Sequence, residues 1–156
     1  MDSIVFYAQL LISIVVFAFL ISWYVIPRLE LLPKESALII LLIPQAFRHL
    51  GLYALVLAAF NPAIPSAWAN PTAVGDTITQ VLSLVAMIML RHNTAGAIAM
   101  TWVATIVGIG DFLVGSYLTE STHLPLHMLT AGWFLPWFYF PLVLCAYYWT
   151  IRFLLK

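Results

Sequence analysis

Apolar residues run along this chain in five long stretches, with polar residues gathered at the breaks between them. The stretches predict helices at about residues 3–26, 36–60, 76–90, 94–118 and 124–155. A membrane barrel would alternate apolar and polar positions over about ten residues per strand, and no stretch does so. Helices satisfy their own backbone groups, which lipid cannot do. The pattern therefore reads as all-α: a polytopic membrane protein whose residues 1–156 form one five-transmembrane-helix bundle. The longest break, 61–75, holds Pro62, Pro65 and Pro71 around Trp68 and reads as an external cap loop. Asp76 follows Gly75 as the expected N-cap of a short third helix. Pro136 and Pro141 predict a kink in the last helix.

Charge assigns the sides. Arg28 and Lys34 fall between the first two helices, Arg91 between the third and fourth, and Arg152 and Lys156 at the C-terminus. Asp2, Asp76 and Glu120 fall at the opposite ends, without lysine or arginine. The positive-inside rule then puts the N-terminus out and the C-terminus in. Trp23, Tyr24, Tyr147, Tyr148 and Trp149 are expected in an aromatic belt at the inner edge, and Tyr7, Trp68 and Tyr117 at the outer one.

Composition agrees with a lipid environment. The chain is 64% hydrophobic and 8% charged, where a soluble domain carries about 25% charged residues. The expected partner is the lipid bilayer, and the expected location a plasma or bacterial inner membrane, multi-pass. The first apolar run lacks a basic leader, so it reads as a span rather than a cleavable signal. A net charge of zero argues against nucleic acid as a partner. One cysteine, Cys145, excludes a disulfide within the chain and a multi-cysteine metal cluster.

Candidate chemistry lies in the polar residues that the helical period gathers on faces. Gln45, Arg48, His49 and Leu52 share one face of the second helix, and Asp76, Gln80, Ser83 and Met87 one face of the third. On the fourth, Thr101, Thr105, Gly108 and Phe112 align, and Asp111 lies about 80° from that line. Small and polar residues mediate helix packing in lipid, which accounts for the glycines, Ser83 and the threonines. Arg48 and Asp111 ask for more, because a charged side chain in hydrocarbon must face protein or water. By helical rise they lie about 17 Å and 25 Å from the inner ends of their helices, so an arginine side chain can bridge to the carboxylate. Arg48 is expected to anchor an anion or carboxylate, with Asp111 as counter-charge or proton acceptor. Gln45, His49, Asp76 and Gln80 complete a ligand-binding or proton-linked set.

His123 and His127, four residues apart, could face one metal ion if the last helix has begun at His123, with Glu120 adding an oxygen. Nothing in the sequence requires a cofactor. Zinc at that trio, or haem between His49 and His127, are the candidates considered. Neither lysine lies within a span, which excludes a retinal Schiff base.

The leading functional expectation is an outward-facing polar intramembrane site that binds or transports a small anionic or polar molecule or an ion. The second is a non-catalytic accessory subunit of a larger membrane complex, or a homo-oligomer. The third is a small membrane enzyme acting on a lipid or quinone, with a histidine–carboxylate pair as acid and base. The balance is against an enzyme, because no nucleophile motif accompanies that pair.

Overall fold

The computed structural model describes residues 2–124, 129 and 134–156. Among these residues the chain is all helical, without a strand. Four helices are long and apolar enough to cross a membrane: Ile4–Leu29, Lys34–Phe60, Ser66–Arg91 and Ala97–Ser121. Their outward faces stay apolar. Ile4, Leu11, Ile12, Ile106 and Leu113 are each more than 60% exposed, an apolar surface that soluble monomers do not carry at this extent.

Proline shapes three of the helices. Helix α1 comprises Asp2–Leu20, a wider π-turn at Ile21–Val25 and a last turn at Ile26–Leu29. Pro27 has no N–H for the carbonyl of Trp23, and the π-turn absorbs that loss. Helix α2 comprises Lys34–Ala46, a tight 3-10 segment at Arg48–Leu52 and Tyr53–Phe60. Its break follows Pro44 and passes through Phe47, whose φ/ψ of −96°/10° leaves the helical region. Helix α5 comprises a π-turn at Leu135–Tyr139 followed by Phe140–Leu154, with Pro136 and Pro141 in or just after the wide turn.

Helix α3, Ser66–Arg91, is the central element. Its buried residues are Ala69, Ala73, Asp76, Thr79, Ser83, Ala86 and Leu90, a small-residue stripe at helical spacing that lets the neighbouring helices approach closely. Helix α4, Ala97–Ser121, packs Thr101, Thr105 and Gly108 against it. The threonine hydroxyls donate to their own helix, Thr101 to the Ala97 carbonyl at 2.9 Å and Thr105 to that of Thr101 at 2.7 Å. Left-handed Gly96 (φ 87°) starts α4 after the turn from α3.

The structure corrects the sequence reading at α3. Asp76 is no N-cap: helix begins ten residues earlier at Ser66, and most of the expected 61–75 cap loop is its first turns. Pro71 sits on an exposed position there, so its missing N–H frees a single carbonyl near the helix end. The remaining connection is short, with Asn61 Oδ1 accepting from the Ala63 N–H at 3.1 Å. Trp68 belongs to the helix, and its indole N–H donates to Thr119 of α4 at 3.1 Å.

The basic ends of the helices are tied together. Lys34 donates to the Leu154 carbonyl at 3.1 Å, and Lys156 pairs with Glu30 at 2.7 Å. Arg28, Lys34, Arg91, Arg152 and Lys156 thus share one end of the bundle, called here the basic end, and the site lies toward the other.

Candidate functional site

The break in α2 builds the site. Beyond Pro44 the regular helical ladder fails, and side chains join in satisfying its carbonyls. Tyr139 of α5 donates its hydroxyl to the Pro44 carbonyl at 2.6 Å, and Gln80 of α3 donates its amide to the Ala46 carbonyl at 3.0 Å. Irregular backbone inside an apolar bundle survives where protein groups satisfy it in this way. The tight segment then turns Arg48 inward, where it is 4% exposed, and leaves His49 on the outside.

Arg48 is held from three helices. Its Nε donates to Asp76 Oδ1 of α3 at 2.6 Å, and Nη2 lies 2.5 Å from the same oxygen. Nη2 also donates to Asp111 Oδ2 of α4. Nη1 donates to the Tyr147 hydroxyl of α5 at 3.2 Å. Asp76 is 4% exposed. A buried guanidinium of this kind is tolerated because every nitrogen has an acceptor and the charge has partners.

Three glycines give these groups their room. A Cβ on Gly51 would overlap the carboxylate of Asp76, with the Asp76 Cβ 2.9 Å away. One on Gly75 would overlap Asp111 Oδ1, and one on Gly108 the hydroxyl of Tyr147, with Thr79 Cγ2 at 2.7 Å. The carboxylates and the phenol therefore lie against bare backbone of neighbouring helices. This close approach is the packing reason for glycine at all three positions.

Above the cluster is a cavity of about 390 Å³. Arg48, Asp76 and Asp111 sit among its lining, with the rest mainly apolar and aromatic, including Phe6, Leu57, Phe112 and Phe140. Every helix contributes, and the lining lies in the half of the bundle away from the basic end. Toward the far end, the Tyr7 hydroxyl of α1 donates to Glu120 of α4 at 2.6 Å, beside the Trp68–Thr119 contact.

The expected site residues divide. Arg48, Asp76 and Asp111 come together. Gln45 is buried one turn nearer the basic end, and its amide has no hydrogen-bond partner among the described residues; Thr79 and Ser83 of α3 share that condition. Gln80 braces the α2 break and contacts His49 Nδ1 at 3.1 Å, and neither residue lines the cavity. His49 leaves the expected face because the 3-10 segment rotates it away from the α-helical register. The metal trio loses its geometric premise. His123 is exposed in a left-handed turn (φ 49°) after α4 ends, so no helix has begun there, and Glu120 is engaged by Tyr7. His127 lies outside the described residues. Among the described residues no group of three or more His, Cys, Asp or Glu side chains could hold a metal.

Sequence reasoning missed two tyrosines. Tyr147, expected in the inner aromatic belt, is 3% exposed and reaches Arg48. Tyr139 stood inside an aromatic run with nothing to mark its carbonyl partner. Gly108, spaced seven residues from Thr101 on the α4 stripe, was visible as a close-approach position, but the phenol it receives was not.

A family model described as "Domain of unknown function (DUF8737)" matches residues 5–155, and the chain belongs to that family. No curated protein and no solved structure matches it.

Proposed function

We propose that this member of a domain family of unknown function is a multi-pass integral membrane protein whose cavity binds or transports a small molecule. In this reading α5 is a fifth crossing, the N-terminus is outside and the C-terminus inside. The length of α5 with its π-turn, residues 135–154, corresponds to about 30 Å, a bilayer core. The basic end faces the cytoplasm by the positive-inside rule, so the cavity faces outward.

The observation that carries the reading is the cavity of about 390 Å³ with Arg48, Asp76 and Asp111 in its lining. Its size lies within the range of about 300–1,000 Å³ of small-molecule sites, and it has their makeup of apolar walls with a few convergent polar groups. Charged residues within membrane helices mark substrate and ion paths. The interrupted α2 adds to this, because broken helices near mid-membrane build the sites of secondary transporters. A purely structural ion pair would not need the open space beside it.

Accessibility tests the reading. With Cys145 replaced by alanine, Ser116→Cys puts a single thiol in the cavity lining and His92→Cys one at the basic end. A membrane-impermeant maleimide applied to intact cells is expected to label Cys at 116 and spare Cys at 92. Labelling at 92 alone would reverse the orientation, and protection of both would remove the outward opening.

A further inference from the structure

Resting on that reading, we infer that the cavity takes an organic cation with an apolar body, rather than an anion. Arg48 spends Nε and Nη2 on Asp76, Nη2 again on Asp111, and Nη1 on Tyr147. A guanidinium held this way has no free edge for the paired hydrogen bonds by which arginine grips carboxylates and phosphates. An incoming anion would have to displace an aspartate already seated against glycine backbone.

The lining carboxylates outnumber the arginine. One guanidinium faces Asp76, Asp111 and Glu120, leaving an excess of two negative charges when all four groups are ionised. The charge left over in the Arg48–Asp76–Asp111 cluster is poorly screened in its apolar surroundings and favours a positive occupant. Glu120, at an exposed position, adds a screened charge near the far end. The walls suit such an occupant. Phe6, Tyr53, Trp68, Phe112 and Phe140 line the cavity, and aromatic faces attract ammonium groups once water is excluded. Near the far end Trp68 donates to Thr119, and the next residue in the chain, Glu120, accepts from Tyr7. A cation therefore meets an acidic, aromatic entrance before it reaches Asp111.

Three probes of one size separate the alternatives: phenyltrimethylammonium, its uncharged carbon isostere tert-butylbenzene, and benzenesulfonate. Binding is measured to the full chain in lipid nanodiscs against protein-free nanodiscs. The cation is expected to bind at least about tenfold more tightly than either of the others. Asp111→Asn is expected to remove most of that preference. Glu120→Gln, at an exposed position, is expected to weaken the cation a few-fold and serves if the Asp111 variant fails to fold. Equal binding of cation and isostere, or preference for benzenesulfonate, overturns the cation inference and leaves the cavity reading standing. No binding by any probe, with Ser116→Cys labelling unaffected by all three, overturns both.

Discussion

Gly75 and Gly51 govern the charge cluster without carrying any charge. Each presents bare Cα to a carboxylate of a neighbouring helix, Gly75 to Asp111 and Gly51 to Asp76. Gly75→Ala is expected to rotate the Asp111 carboxylate away from Arg48 and cost about 1–3 kcal/mol, the range for overpacking a filled contact. Gly110→Ala, whose added Cβ meets nothing within 4 Å, is expected to cost nothing measurable. Thermal unfolding of the two variants in detergent checks the contrast. At this scale the sequence revealed Arg48 and Asp111, because charge in an apolar stretch stands out against any background. It put Asp76 in the same polar set but not as an ion-pair partner of Arg48, because the residue follows a proline-rich stretch and mimics a helix cap. Tyr147 was hidden for a different reason, since a tyrosine near a helix end fits an interfacial belt equally well.

Helix α2 is where local rules and the observed element part company. The positions of Pro44 and Gly51 permit a break, but permission is not location; the break is fixed by Tyr139 and Gln80, which supply donors from other helices. Tyr139→Phe is expected to cost about 1 kcal/mol, the net worth of one hydrogen bond, and to speed amide exchange across residues 47–53 while α4 is unaffected. Hydrogen-exchange mass spectrometry reads both. Equal protection before and after the change would mean that α2 holds its break unaided. The existence of the four long helices was legible throughout, because lipid demands long apolar runs. Their ends were less so: α3 starts at Ser66, ahead of a proline that an exposed early turn tolerates.

For the whole molecule, the cluster ties α2, α3, α4 and α5 together at one point beneath the cavity. Tight packing beneath and open space above is the arrangement a ligand site requires, since binding groups must be held before the ligand arrives. Removing one member of such a cluster costs more than removing all of it, because partners are left buried and uncompensated. The most direct measurement is therefore a stability comparison of wild type, Arg48→Met, and a triple variant carrying Arg48→Met, Asp76→Asn and Asp111→Asn. Reversible unfolding in bicelles is expected to show Arg48→Met about 3–5 kcal/mol less stable than wild type, with the triple variant recovering at least half of that loss. An Arg48→Met protein as stable as wild type, or a triple variant no better than the single one, would contradict the account.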